Sequence, residues 1–182
     1  MRVGPSILLG TVVFALAAMD VLAVAHRGGA QAADPANTAL RKGSGLPIPR
    51  FASLRSDEVN VRTGPGTRYP VDWVFKRKLM PVEIVAEFEN WRKIRDWQGA
   101  SGWVHQSLLT GKRSFIVAAH IANVHKTPGT QAEVVARLEP EVMGEIRSCQ
   151  GEWCRVKVAN ASVTGWIERT DIWGVYRSEP VN

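Results

Sequence analysis

The side chains that could carry out catalysis are few and poorly spaced. His120 and His125 are five residues apart, so a flat strand would place them on opposite faces. Glu83, Glu87 and Glu89 follow one predicted strand, but paired catalytic acids need a cleft, which a small filled fold does not provide. No H-E-x-x-H or G-x-S-x-G phrase occurs. We therefore predict that the chain is not an enzyme, has no catalytic residues, and exposes the three glutamates on a solvated strand face.

The two cysteines, Cys149 and Cys154, bracket four residues that can form a hairpin loop. Residues directly opposite each other in a hairpin have Cα atoms about 4.5 Å apart, which is within disulfide range. We predict a structural disulfide; a free thiol pair or a redox site remains the alternative, although the spacing is not C-x-x-C. Two thiols cannot by themselves make a multi-thiolate zinc site, and we predict no metal and no cofactor.

Tryptophan accounts for 7 of the aromatic residues, against 5 Phe and 2 Tyr. Trp91 and Trp153 each lie three residues before an aliphatic residue, Ile94 and Val156, and so point to the opposite face of a strand. If the aliphatic side chains face the core, both indole rings face outward and offer a large contact area. Alternatively, the rings stack between two modules or cover the end of a barrel.

Arg62 adds a guanidinium that could hold a carboxylate through two hydrogen bonds, or could simply be a solvated surface group. We predict a ligand contact around the loops of the first half of the chain. The candidate binding residues are Arg62, Tyr69, Trp73, Trp91 and Trp97.

The N-terminus has the pattern of a secretory signal peptide. Arg2 precedes an apolar stretch, and Ala30-Gln31-Ala32 offers a cleavage site, with a cut after Ala25 as the alternative. A retained anchor helix would place Asp20 in the bilayer core, at a cost of about 2.5–3.5 kcal/mol. We predict a signal peptide at residues 1–32 and a periplasmic or secreted protein with no stable membrane span after cleavage.

The composition limits the classes of protein to consider. The chain has 182 residues, of which 22% are charged, and a formal net charge of +6. These values exclude a wholly disordered chain, a collagen and a polytopic membrane protein, and they allow one domain or two small ones. Basic residues interleave with Trp91 and Trp97, a pattern that can bind single-stranded nucleic acid. These basic residues are the run Lys76-Arg77-Lys78 with Arg92, Lys93 and Arg95. Export argues against that encounter, so we predict no nucleic-acid partner.

An internal repeat organises the rest of the chain. Three segments recur in the same order at an offset of 62 or 63 positions, at 59–67 and 122–130, 90–94 and 152–156, and 101–104 and 164–167. This pattern indicates a tandem duplication. The link from Thr110 to Ser114 is short, so we expect the two copies to pack side by side.

Each copy is predicted to be all-β. Residues 82–88 alternate apolar and acidic side chains, which is typical of a half-buried strand, and 91–96 and 101–105 form the next two strands. We predict two tandem small β-barrels, at residues 50–111 and 112–178, after a flexible linker at 33–49.

The phrase Val59-Asn60-Val61-Arg62-Thr63-Gly64-Pro65-Gly66, a later Trp-x-x-Ile strand and Gly102-Trp103-Val104 resemble the bacterial SH3-like (SH3b) domain, and the second copy resembles the same module. The resemblance implies small barrels in exported or envelope proteins, usually non-catalytic, that bind cell-wall peptides or protein segments. His105 and Leu108 stand where proline-binding SH3 domains carry Pro and Tyr, so we do not predict polyproline recognition.

The predicted function is that of an exported, non-catalytic binding module that recognises a cell-wall peptide or an envelope protein. Two alternatives remain: a structural scaffold of the envelope without a small ligand, and an accessory to a wall hydrolase.

Overall fold

The computed structural model describes residues 43–118 and 120–182, and these residues form an all-β protein. The predicted signal peptide (1–32) and the first part of the predicted linker (33–42) lie outside the described residues. Residues 43–49 are exposed and run past the first sheet, where the Ser44 hydroxyl donates a 2.8 Å hydrogen bond to Glu87. This end of the predicted linker is therefore attached to the first sheet.

The first sheet has seven strands in the order β3-β2-β6-β5-β4-β1-β7. Their bounds are β1 Arg50–Leu54, β2 Val59–Arg62, β3 Val71–Phe75, β4 Pro81–Phe88, β5 Trp91–Arg95, β6 Ser101–His105 and β7 Leu109–Thr110. A 3₁₀ turn at Gln106–Leu108 joins the last two strands.

The second sheet repeats this plan, in the order β10-β9-β13-β12-β11-β8-β14. Its strands are β8 Ser114–Val117, β9 Ala122–His125, β10 Val134–Leu138, β11 Met143–Gln150, β12 Trp153–Val158, β13 Thr164–Glu168 and β14 Ile172–Trp173, with a 3₁₀ turn at Arg169–Asp171 before the last strand. The prediction of two tandem all-β modules is confirmed. In each module the hydrogen-bonded ladder runs from one edge strand to the other and does not close into a complete barrel.

The longest strand of each sheet bends at the same place. A β-bulge shifts the register between Ile84 and Ala86 in β4, and another does so between Ile146 and Ser148 in β11. A bulge increases the local twist and bends its strand. One long strand can therefore pair with β1 at its start and with β5 at its end, which wraps the sheet around its core.

The predicted disulfide is confirmed. Cys149 and Cys154 are directly opposite each other in the β11–β12 hairpin, with Cα atoms 4.0 Å apart, and their sulfur atoms are bonded. The backbone N–H of Cys149 also donates to the carbonyl of Val181, so the C-terminal residues lie along the disulfide-linked strand.

Each sheet encloses a core of fully buried aliphatic side chains, such as Val61 and Ile94 in the first module. The first core is not built from its own module alone. Ile116 of β8 and Met143 of β11 are buried in it, and Trp173 of β14 packs against it. The two modules therefore share apolar packing, as the short link predicts.

Polar groups reinforce the contact between the modules, which we call the seam. The buried hydroxyls of Ser53 in β1 and Ser114 in β8 form a hydrogen bond with each other. Arg113 donates a 2.7 Å hydrogen bond to the carbonyl of Phe51. The Arg113 guanidinium also pairs with Glu179. Burial lowers the pKa of Arg113, against the opposing effect of the Glu179 charge. An arginine remains charged under these conditions, so the seam contains a half-buried cation with its own counter-ion.

Candidate functional site

The outward faces of β2, β5 and β6 carry the candidate site. Along β5 the side chains of residues 92 and 94 are buried, while Trp91 and Lys93 are half-buried on the other face. Along β6, Gly102 and Val104 face inward, which leaves Trp103 and His105 outside. The alternation of a strand thus places aromatic and basic side chains together on the solvent side of the sheet.

The strand register brings these side chains into contact range. Trp103 lies directly opposite Lys93 on one side and Arg62 on the other, and Trp91 lies opposite His105. Residues directly opposite in an antiparallel pair have Cβ atoms about 4.5–5.5 Å apart. We call this surface the outer stripe, and it consists of Arg62, Trp91, Lys93, Trp103 and His105.

Two of its members are fixed by local contacts. The ring of Trp91 meets that of His105 edge to face, with centroids 5.5 Å apart. The Nδ1 atom of His105 shares a 2.7 Å hydrogen bond with the Ser107 hydroxyl, in the turn that follows. The indole of Trp91 therefore has a defined orientation relative to the imidazole.

Arg62 closes the loop between β2 and β3. Its Nη1 atom donates to the carbonyl oxygens of Tyr69, at 2.7 Å, and Thr67, at 3.3 Å. No acidic side chain pairs with Arg62 within residues 43–118 and 120–182. The guanidinium is therefore held in place at one nitrogen, while no carboxylate among the described residues neutralises its charge.

Tyr69 lies beside Arg62 at the tip of the same loop. A Cβ on Gly64 would clash with the Tyr69 ring, so the ring packs directly over the glycine backbone. The guanidinium of Arg68 covers the ring with a centroid distance of 5.1 Å. The aromatic side chain is thus half-buried between a glycine and a cation.

Trp73 and Trp97 are placed differently from the other predicted site residues. Trp73 lies opposite Val61, on the core side of β2 and β3, and its ring meets Phe75 edge to face at 6.0 Å. Trp97 packs against the same core. The structure therefore brings Trp91, Arg62 and Tyr69 to the outside, and it does not bring Trp73 and Trp97 to the outer stripe.

The second module repeats the stripe with different chemistry. Arg155 lies opposite Trp166, which in turn lies opposite His125, and the Trp153 ring meets that of His125 edge to face at 5.2 Å. His125 occupies the repeat position of Arg62, and its Nδ1 contacts the carbonyl of Ala132 at 2.9 Å. The same loop is therefore closed by a buried imidazole here and by a half-buried guanidinium in the first module.

The expectation of a solvated glutamate face is wrong for two of its members. Glu83 is buried and pairs with Arg95, and Glu87 pairs with Arg50 and, at 3.2 Å, with Arg92. Burial on its own would raise the pKa of Glu87, but the hydrogen bonds from Arg50 and Ser44 outweigh it and lower that pKa. Both carboxylates are paired with arginines, which suits a role in stability.

Sequence reasoning missed Trp103, Lys93 and His105 as members of the stripe. The signal was present in the alternation of β5 and β6, once these strands are taken as neighbours. Among residues 43–118 and 120–182, no three His, Cys, Asp or Glu side chains cluster closely enough to hold a metal ion. The same residues include no helix long and apolar enough to cross a membrane.

Comparison with known proteins gives two matches to one family model. The model for the bacterial SH3 domain matches residues 55–111 and again residues 118–174, which coincide with the two copies of the repeat. Among curated proteins, the chain is 26% identical over 127 residues to "Putative N-acetylmuramoyl-L-alanine amidase YrvJ" of Bacillus subtilis (strain 168). That alignment covers 64% of this chain and only 24% of the relative.

Solved structures with some likeness include NlpC2 and NlpC1 from Trichomonas vaginalis. Their TM-scores are 0.33 and 0.32 at 10% and 13% identity, with 75% and 74% of this chain and 52% and 49% of those chains covered. An NlpC/P60 family protein from Bacillus cereus has a TM-score of 0.31 at 13% identity, covering 68% of this chain and 55% of that one. Scores this low do not establish a shared arrangement of the modules.

Proposed function

Because the chain belongs to the bacterial SH3 domain family, we propose that it is an exported, non-catalytic binding module that recognises cell-wall peptide through the first module. The observation that carries this proposal is the outer stripe. There, the indole rings of Trp91 and Trp103 flank Lys93. Arg62 lies at one end of the stripe, and no acidic side chain of the described residues pairs with it.

A wall peptide offers the chemistry that this surface accepts. Its carboxylates suit the guanidinium of Arg62 and the ammonium of Lys93, since hydrogen bonds between charged partners are roughly twice as strong as neutral ones. Its aliphatic side chains and amide planes suit the faces of Trp91 and Trp103. Tyr69 extends the contact along the loop, and Trp73 and Trp97 support the strands from the core side.

One observation supports a binding role over catalysis. Glu83 and Glu87, the two acids of β4, are committed to arginines. We extend the proposal to the division of the chain into a signal peptide (1–32), a linker (33–49) and modules at 50–111 and 112–178, in a periplasmic or secreted protein.

The relative named as an amidase favours a second candidate function, that of an accessory to a wall hydrolase. The chain matches only about a quarter of that relative's length. A module of this kind would hold an enzyme on its substrate, and its partner would then be an envelope protein. This candidate uses the same stripe and differs in requiring a protein partner.

Co-sedimentation of the full-length expressed protein with purified cell-wall sacculi, at low and at high salt, tests the proposal. We expect salt-resistant binding that is abolished in Trp91→Ala. The matched control is Trp153→Ala, the repeat position in the second module, which should bind like the unmodified protein. Binding that disappears with salt alone, or no binding at all, would overturn the wall-peptide proposal. The search would then turn to envelope proteins.

A further inference from the structure

A groove runs along the seam, between the β3–β4 turn of the first module and strands β11 and β12 of the second. One part has a volume of about 660 Å³ and is lined by Arg55, Lys78 and Lys112. The next part, of about 650 Å³, contains Lys76 and Arg77. Both parts include Lys78 and Leu79, and a third part of about 430 Å³, which contains Lys157, also borders Leu79. We call these adjoining parts together the seam groove.

The seam groove carries an excess of positive charge. Six cationic and three acidic side chains line it, namely Arg55, Lys76, Arg77, Lys78, Lys112 and Lys157, with Asp57, Glu141 and Glu145. Two of the acids are already paired: Glu145 with Arg147 at 2.7 Å, and Glu141 with Arg77 at 3.7 Å. The groove therefore has a net attraction for anions.

Four of the cations have no acidic partner in the part of the chain that the structure describes. They are Arg55, Lys78, Lys112 and Lys157, and all four are exposed. Like charges brought together repel one another unless a counter-ion lies between them. The groove thus brings these four cations together from both modules and from the link, and no carboxylate of the described residues pairs with them.

The backbone holds these cations in place. Arg55 donates from Nε and Nη2 to the carbonyl of Leu109, at 3.3 and 3.1 Å, and the Ser53 hydroxyl donates to the carbonyl of Lys112 at 2.7 Å. Leu79 has a φ of 64°, a left-handed conformation that is costly for leucine, and its N–H donates to the carbonyl of Leu54. The strained turn therefore fixes the backbone next to Lys78, which lines the groove together with Arg55 and Lys112.

We propose that the seam groove binds a linear polyanion whose backbone carries repeated phosphate groups. A concave groove with cations along its length fits a chain, whereas a flat anionic surface would leave the cations in its floor without contact. The groove and the outer stripe share no residue, so this inference does not depend on the proposed function.

Fluorescence anisotropy with labelled inorganic polyphosphate and the full-length protein tests the proposal. We expect Lys78→Gln/Lys112→Gln to bind at least about tenfold more weakly. The slope of log K against log salt should also fall by about 1.4, at about 0.7 for each phosphate that the protein no longer neutralises. Both side chains are exposed, so this variant should fold normally.

The matched control, Lys126→Gln/Arg177→Gln, removes the same charge from exposed positions outside the groove and should bind normally. Trp91→Ala should also bind normally, which separates this site from the wall-peptide site. Absence of polyphosphate binding, or equal weakening by the two double variants, would overturn the proposal. Binding to phosphatidylglycerol vesicles without binding to polyphosphate would overturn it as well.

Discussion

The phenolic hydroxyl of Tyr176 donates a 2.7 Å hydrogen bond across the seam to the carboxylate of Glu83. Tyr176 follows the last strand of the second sheet, whereas Glu83 lies in β4 of the first, 93 residues away in the chain. Arg95 pairs with the same buried carboxylate. One acid of the first module therefore anchors the end of the second.

Tyr176→Phe should lower the free energy of unfolding by about 1–2 kcal/mol, because it removes a hydrogen bond to a charged acceptor. Urea denaturation at neutral pH measures this change. Tyr69→Phe is the control, since its exposed hydroxyl has only a 3.4 Å contact with Arg68. Equal effects of the two substitutions would contradict an anchoring role for Tyr176.

Alkaline pH should weaken the fold through the same residue. Burial raises the pKa of Tyr176 above the ordinary value of about 10, and the hydrogen bond to Glu83 and its charge raise it further. The stabilisation that this shift represents is fully present below about pH 10 and declines as the pH rises above it. Urea midpoints measured up to about pH 11 should therefore fall less in Tyr176→Phe than in the unmodified protein. Urea midpoints that fall equally with pH in the two proteins would argue against a contribution of Tyr176 to this loss of stability.

Acid should weaken the fold through Glu87, whose pKa is lowered by Arg50 and Ser44 despite its burial. A lowered pKa contributes stability above the ordinary value of about 4.5, and this contribution disappears as the pH falls below it. Glu87→Gln should therefore be less stable at neutral pH and should show a flatter loss of stability on acidification. Glu133→Gln, which removes an exposed acid paired with Lys126, is the control. An unchanged acid profile in Glu87→Gln would rule out this role.

Removal of the Cys149–Cys154 disulfide should cost about 2 kcal/mol, since the bond closes a short loop. Thermal unfolding of Cys149→Ser/Cys154→Ser should match that of the reduced unmodified protein. The hydrogen bond between Cys149 and Val181 should loosen in both, so proteolysis should remove the last residues sooner. A reduced protein as stable as the oxidised one would contradict this expectation.

Gly102→Ala should destabilise the first module by about 1–3 kcal/mol, because overpacking a close contact displaces its neighbours. The added Cβ would clash with Cγ1 of Val61 and would lie 3.1 Å from the carbonyl of Arg62. Binding to sacculi should weaken as well, since β6 carries Trp103 next to this contact. Gly111→Ala, where a Cβ meets nothing within 4 Å, is the control for both measurements. Equal stability of the two variants would show that β6 has room to shift.

The features that depend on nearby residues could be predicted from the sequence. The existence of strand β4, the hairpin that follows it and the cysteine pair each involve residues close together in the chain, and the structure confirms them. The resemblance to the bacterial SH3 domain rested on the same local phrases and is confirmed by the family match.

The glutamates could not be predicted correctly, because their partners are distant in sequence. Glu83 meets Tyr176 and Glu87 meets Arg50 only after the sheet and the seam have formed. The full outer stripe was missed for a similar reason. Its membership depends on β6 lying between β2 and β5, which places Trp103 beside residues from two other strands.

Because the first core includes side chains of the second module, the two modules cannot finish folding in the order in which they are synthesised. Chains are made from the N-terminus, so the first module emerges before Ile116 and Met143 exist. Its core remains open on one side until β11 has been synthesised. The half of the protein that is made first is therefore the half that depends on the later one to finish folding.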